Sequence, residues 1–339
     1  MTASSVPSST PVIEDDRVQF VWKGRRPPVL VGDFNDWDND RALRLFHNKR
    51  GLWTRTLTFP RDAYLEYAFL LDGQRVFDPL NLRVTPNGIG DTNNYFYMPA
   101  GAPIELTRRV RGVPQGSLTT HRLETHGMIS GRTRLVHLYR PPARGPYPLL
   151  VVLDGAEYLR RAKLPVIVDN LLAQKRVRPF GMAFVENGGA ARPLEYASSD
   201  AHLNFLLFNV LPLAIRELDL TRQRGAHGIL GASLGGRAAF YSALRAPEVF
   251  RMVLSQSGAF GEKHFHSAVN DLARYLPRRP LAVWMDVGRY EGLLRSNRRY
   301  RNLLRARGYA VTYREYNAGH NYPAWRNDVW RGLEELFGP

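Results

Sequence analysis

The chain has 339 residues, 44% hydrophobic and 23% charged, with a mean hydropathy of −0.33; this is a globular composition with room for two domains, not a disordered or fibrous one. No apolar run reaches the ~18 residues of a membrane span, and zero cysteines exclude disulfides, thiolate metal sites and a cysteine nucleophile. The net charge is +16, and only five of the 47 basic residues are lysines; the arginines are scattered without a nucleic-acid-binding signature, so an anionic small molecule is expected ahead of nucleic acid or a membrane surface.

Residues 1–15 read as a disordered leader, and they lack the basic start and apolar core of a secretory signal, so the cytoplasm is expected. From Arg17 onward short apolar runs alternate with turn clusters. Val18, Phe20 and Trp22 come first, then Val29 to Val31, Leu52 to Phe59 and Tyr64 to Leu71. Such spacing predicts an all-β sandwich over residues 16–100, with a linker over 101–116. The aromatics Trp22, Trp37, Trp53 and Tyr67 alternate within these runs and are expected in its core.

Past Gly116 the pattern changes. Strands are predicted at 118–125, 132–140, 149–153, 181–186, 227–231, 251–256, 281–287 and 309–316. Helices are predicted near 200–217, 234–246, 292–307 and 323–337. The alternation means an α/β domain over 117–339, a mostly parallel sheet flanked by helices. In the helix near 292–307, Leu293, Leu294, Tyr300, Leu303 and Leu304 form an apolar stripe, arginines fill the other face, and Gly308 marks the C-terminal end.

The chemistry-bearing motif is Gly231-Ala232-Ser233-Leu234-Gly235-Gly236, placed after a β run and before a helix rich in small residues. A serine on a sharp strand-to-helix turn needs small neighbours, because strand and helix approach closely there. The turn lifts the hydroxyl above the sheet and aims the helix N-terminus at a nascent oxyanion. A serine hydroxyl is a weak nucleophile and needs a base. Of nine histidines, six lie without pattern, and His264 and His266 lack a third metal ligand. His320 stands apart, just past a strand end and ahead of a helix near the C-terminus, the position of the triad histidine in an α/β-hydrolase. The acid is expected between serine and histidine in sequence. Glu291, on the loop after the 281–287 strand, is favoured over Asp286, which is closer to the strand and reads as a structural acceptor. For the oxyanion, one donor is the amide of Leu234; the second is expected from Gly155 or Ala156, in the loop after 149–153.

These segments carry a resemblance. LLVVLDG (149–155), ARPLEYASSD (191–200), GILGASLGGRAAFYSALRAPEVF (228–250), LSQSGAF (254–260) and YREYNAGHNYPAWR (313–326) resemble the enterochelin esterase family, which is related to feruloyl and acetylxylan esterases. The resemblance implies an α/β-hydrolase whose serine, acid and histidine fall on Ser233, Glu291 and His320. Family members often carry aspartate at the acid position and after the histidine; this chain has Glu291 and Asn321. VGDFNDWD (31–38) and the stretch 67–96 resemble the immunoglobulin-like module found before such esterases and before glycogen-branching enzymes.

Taken together, a serine esterase without metal or organic cofactor is expected. The resemblance and the arginine excess point to a catecholate siderophore ester, an anionic ferric complex that guanidinium and aromatic groups can bind. Arg192, Tyr196 and Trp325 are the candidate substrate contacts. The alternatives are a feruloyl or acetylxylan esterase, and a glucan-binding scaffold with an inert hydrolase half. An intact Ser233 and His320 argue against the latter.

Overall fold

A computed structural model describes Pro7, residues 9–88, residues 90–261 and residues 267–339. His264 and His266 lie outside the described residues, as do all of the first eight positions of the expected leader except Pro7. The chain divides into two compact units. One comprises the residues up to Pro103 together with Gly288–Gly292 and Glu315–Ala324; the other comprises Ile104–Val287, Leu293–Arg314 and Trp325–Pro339.

Among its described residues the first unit contains ten short strands: β1 (Val12–Glu14), β2 (Arg17–Trp22), β3 (Val29–Gly32), β4 (Leu43–Arg44), β5 (Phe46–His47), β6 (Trp53–Thr58), β7 (Tyr64–Leu71), β8 (Gln74–Val76), β9 (Val84–Pro86) and β10 (Thr92–Tyr97). They form two antiparallel sheets, β1-β2-β6-β5 and β4-β3-β7-β10-β9, with β8 hydrogen-bonded to β7. Period-two alternation aims Val18 and Phe20 of β2 inward, where they meet Leu30, Leu65, Tyr67, Phe69 and Phe96. Phe20 lies edge-on to Tyr67 at 4.9 Å and to Phe96 at 5.8 Å.

The sequence-based leader is corrected at its C-terminal end. Val12–Glu14 pairs with β2, because the β-branched Val12 and Ile13 complete an otherwise open sheet edge. Thr10 is anchored as well, its hydroxyl donating to Asp78 at 2.6 Å. Of the four aromatics expected in the core, Tyr67 is fully buried, whereas Trp22 and Trp53 are half-buried against it. Trp37 is elsewhere, under the guanidinium of Arg75 at 4.5 Å.

The second unit is built on an eight-stranded sheet. Its strands are β11 (Ser117–Glu124), β12 (Thr133–Arg140), β13 (Leu149–Leu153), β14 (Gly181–Val185), β15 (His227–Ala232), β16 (Phe250–Gln256), β17 (Ala282–Gly288) and β18 (Val311–Tyr316), in the order β11-β12-β14-β13-β15-β16-β17-β18. Pairing is antiparallel from β11 to β14 and parallel from β14 to β17. Every residue of β13, β14 and β15 is buried, as a sheet covered on both faces requires. The helices are α1 (Gly155–Arg160), α2 (Leu164–Ala173), α3 (Arg192–Glu195), α4 (Asp200–Phe205), α5 (Leu211–Glu217), α6 (Leu234–Arg245), α7 (Ala268–Tyr275), α8 (Leu294–Ala306) and α9 (Tyr322–Phe337). Among the described residues no helix is long and apolar enough to cross a membrane.

Each predicted strand is present. The helix expected over 200–217 is α4 and α5 joined by a π-helical turn, Leu206–Val210. Pro212 lacks the N–H that a regular α ladder needs there, and the wider turn accommodates that. In α8, Tyr300 and Leu304 are buried as expected, but so are Ser296 and Asn297. The Asn297 amide donates to Gly258 O at 2.9 Å, which makes a polar residue part of the packed face.

One buried titratable group in this unit has a measurable consequence. His202 of α4 is fully enclosed beside Tyr196, and its Nε2 finds no partner among the described residues. Burial, only partly opposed by Glu195 and Asp154, lowers its pKa to about 4. The folded chain therefore keeps the ring neutral where the unfolded chain takes up a proton, so stability present above pH ~6.5 is lost as pH falls toward 4. The loss should be on the order of 3 kcal/mol at 1.36 kcal/mol per pKa unit. Thermal unfolding followed by circular dichroism between pH 7.5 and 4.5 should show a clearly shallower acid decline in His202→Gln than in the wild type; identical declines would assign the acid sensitivity elsewhere.

Candidate active site

Ser233 occupies the sharp turn between β15 and α6, with φ 58° and ψ −122°. A side-chain-bearing residue adopts such angles only where its surroundings over-determine them. Here its N–H donates to Gln256 O at 2.9 Å and its carbonyl accepts from Ala259 N at 2.9 Å. The small neighbours are a steric requirement: a Cβ on Gly231 would lie 2.4 Å from the backbone of Gly235. The first residue of α6 is Leu234, so its amide has no acceptor within the helix.

Strands β13 and β15 are parallel neighbours, which places the loop after β13 beside this turn. A Cβ on Gly235 would lie 3.2 Å from Asp154 Oδ2. Asp154 is the N-cap of α1, in the left-handed region at φ 55°. Its carbonyl accepts from the amides of Glu157 and Tyr158 at 3.0 and 3.2 Å. Gly155 and Ala156, the first two residues of α1, thus present amides with no intrahelical acceptor beside that of Leu234.

Asp154 is held by a device that sequence reasoning missed. Its buried carboxylate accepts two bonds from Arg192, from Nε and Nη2 at 2.7 Å each, and one from Asn187 Nδ2 at 2.6 Å. Its amide donates to the hydroxyl of Tyr196 at 3.1 Å. Glu195, on the same segment, forms a buried two-bond pair with Arg134 at 2.9 and 2.8 Å. Burial alone would raise the Glu195 pKa, but the hydrogen bonds from Arg134 and Ser130 bring it below the usual carboxylate range.

Two of the expected substrate contacts are thereby corrected. Tyr196 is fully buried and Trp325 is 4% exposed, so neither offers a ring face to a ligand in this structure. Trp325 donates its indole N–H to Ser257 Oγ at 2.9 Å, directly after β16. Arg192 keeps a partly exposed edge but serves Asp154.

Asp286 is fully buried in the same network, accepting from Trp284 Nε1 at 2.8 Å and from Gln256 Nε2 at 3.2 Å. Gln256 also accepts from the Tyr158 hydroxyl at 2.9 Å, so the residue that holds the Ser233 amide is itself held on several sides.

Glu291 and His320 lie in the first unit, on the turns that follow β17 and β18. Glu291 Oε2 is hydrogen-bonded to His320 Nδ1, and Glu291 Oε1 accepts from Gly288 N at 2.9 Å. The glutamate side chain is 2% exposed and the imidazole 36%. A carboxylate on Nδ1 fixes the ring orientation and makes Nε2 the basic nitrogen.

Comparison with known proteins places the chain among esterases. The family described as Putative esterase matches residues 127–336, more than half of the chain. The chain belongs to that family. Over 98% of its length and 91% of the relative's, it is 27% identical to the iron(III) salmochelin esterase of Escherichia coli. The enterobactin esterase of Shigella flexneri, solved in the presence of enterobactin, shares the fold at a TM-score of 0.76 and 18% identity, covering 94% of this chain and 92% of that one. A ferulic acid esterase from Anaeromyces mucronatus shares it at a TM-score of 0.56 and 16% identity, covering 69% of this chain and 95% of that one.

The Arg192–Asp154 clamp makes this esterase testable at its amide donors. Removing one partner of a buried ion pair strands the other charge, so Arg192→Ala should destabilise the fold by about 3 kcal/mol. At a temperature where the variant remains folded, kcat should fall with little change in KM, because the loosened part is the Gly155–Ala156 loop. A selective rise in KM in steady-state ester hydrolysis would instead make Arg192 a substrate contact.

Proposed function

We propose that this esterase is a serine hydrolase in which Ser233, His320 and Glu291 form the triad and a catecholate siderophore ester is the substrate. The Glu291–His320 pair carries the reading, since it is the arrangement a base needs and it occurs in the same chain as a strained serine turn. Ser233 Oγ attacks the ester carbonyl carbon while His320 Nε2 takes its proton. The oxyanion of the tetrahedral intermediate is held by the amide of Leu234 and by that of Gly155 or Ala156. Collapse expels the alcohol, protonated by His320, and leaves an acyl-serine. Water, deprotonated by the same nitrogen, then releases the acid and restores the serine.

Two findings support the siderophore as substrate. The salmochelin esterase relative and the enterobactin esterase structure are matched across nearly the whole chain, whereas the ferulic acid esterase match covers 69% of it. The net charge of +16, almost all from arginine, suits an anionic ferric triscatecholate, whose iron would be cargo.

Incubation with iron(III) enterobactin, followed by liquid chromatography–mass spectrometry, tests both parts. The wild type should release linear fragments and monomer. Ser233→Ala and His320→Ala should each lose at least ~10³-fold in kcat, and Glu291→Gln on the order of 10²- to 10⁴-fold. Unchanged hydrolysis by Ser233→Ala would overturn the triad. A wild type that cleaves aryl or feruloyl esters but not the siderophore would keep the triad and move the substrate to the carbohydrate-ester class.

A further inference from the structure

Besides Glu291, the first unit places the acidic side chain of Asp33 against the histidine turn. Asp33 follows β3 and is 4% exposed. Its Oδ1 accepts from the Trp37 indole at 2.9 Å, and its Oδ2 accepts from the Glu66 amide at 2.8 Å and from Asn321 Nδ2 at 3.4 Å. Gly319 lies directly on the carboxyl group: a Cβ there would be 2.1 to 2.4 Å from Asp33 Cγ, Oδ1 and Oδ2. Both residues that flank His320 in the chain thus rest on Asp33.

The same turn is tied down at its other end. Tyr64 N donates to Asn317 O at 3.0 Å, Asn317 Nδ2 donates to Asp62 at 2.7 Å, and Tyr64 forms a β-bridge with Ala318. Ala318 O accepts from Tyr290 N at 3.1 Å, one residue before the acid. On the acid's other side, Gly292 N donates to Asp36 at 2.8 Å. Asp62 and Asp36 work at the outer ends, while Asp33 is the buried acid beneath the histidine itself.

We propose that Asp33 is a positioning residue for hydrolysis: its carboxyl group is the seat on which the Gly319–His320–Asn321 turn is fixed, so that His320 meets Glu291 in one ring orientation. This rests on His320 being the base. Its support is geometric, since glycine is the residue that allows the backbone to touch the carboxyl group, and the asparagine after the histidine supplies a donor to it. Burial, then the negative charges of Glu66 and Glu291, raise the Asp33 pKa well above the usual carboxylate range, against the pull of the Glu66 amide and the Trp37 indole.

The test is a cycle on the full-length enzyme with kcat and KM read separately. Asp33→Ala should lower kcat by ~10-fold or more with KM changed less than about twofold. Gly319→Ala should also lower kcat, because its methyl collides with the carboxyl atoms. The double variant should be no slower than Gly319→Ala alone, since removal of the carboxyl group makes room for the methyl. Additive losses would mean that Gly319 and Asp33 are not coupled, and a loss of stability with kcat and KM unchanged would mark a merely structural role. Asp38→Ala, in the same loop but facing Arg41 at the surface, should leave kcat unchanged. Should Asp33→Ala not fold, Trp37→Phe, which removes one bond to Asp33, decides: a several-fold fall in kcat at unchanged KM supports the role. Wild-type kcat in whichever of these variants folds, or additive losses in the cycle, would overturn it while an inactive His320→Ala keeps the triad standing. An active His320→Ala would overturn both.

Discussion

The larger unit, sheet and helices, depends on one strained turn at Ser233. Ser233 holds a backbone conformation that costs on the order of 1–3 kcal/mol and persists only if every alternative is blocked. Gly231 and Gly235 are in backbone contact, Gln256 and Ala259 fix the Ser233 amide and carbonyl, and α6 departs at once from the next residue. From that constraint follow the small-residue pattern of the motif, the exposure of the serine at the strand end and the free amide of Leu234. The neighbouring strand β13 ends in a second left-handed residue, Asp154, which starts a second helix. Two adjacent parallel strands are therefore each followed by the N-terminus of a helix, α1 after β13 and α6 after β15.

Such a turn needs a rigid floor, and here the floor is polar. Gln256, Asp286, Trp284, Trp325, Ser257 and Tyr158 are all buried and bonded to one another below the serine. Buried polar groups are costly unless satisfied, but a satisfied network has one geometry, whereas an apolar core of equal volume tolerates several. The clamp of Arg192 and Asn187 on Asp154, with Arg134 on Glu195 behind it, fixes the loop after β13 in the same way. The enzyme thus spends buried charge on orientation at the place where misplacement of about 1 Å is expensive.

How much of this was legible follows from the range of each interaction. The Ser233 turn was readable because its constraint is local: strand, small residues, serine and helix lie within a dozen or so positions. The strands of the large sheet were readable because burial on both faces produces uninterrupted apolar runs. Helix α2 was not, since Leu164-Pro165-Val166-Ile167-Val168 carries β-branched residues and its helical character is set by packing. The roles of Tyr196 and Trp325 were misjudged for a related reason. A large aromatic in a functional motif reads equally well as a ligand contact or as a support, and only burial separates the two. Glu195 and Arg134 are 61 positions apart in the chain, and nothing in a sequence pairs them.

The histidine turn shows the sharpest divergence between chain order and physical unit. Composition draws a boundary near residue 100, where short strands give way to alternating strand and helix. Compactness instead gathers Gly288–Gly292 and Glu315–Ala324 with the sandwich residues. The reason lies in specific bonds: Tyr64 and Asp62 to Asn317, Asp36 to Gly292, Asp33 to Asn321, and the ring of Phe59 edge-on to Tyr290 at 5.9 Å. Loops that follow strands are ordinarily the most mobile parts of an α/β enzyme. The hydrogen-bonded Glu291 and His320, carried on two such loops, need an external reference to keep one relative orientation. Asp33 and its neighbours supply it from a segment more than 250 residues earlier in the chain. The immunoglobulin-like module is, on this geometry, part of what holds His320 and Glu291 as a pair.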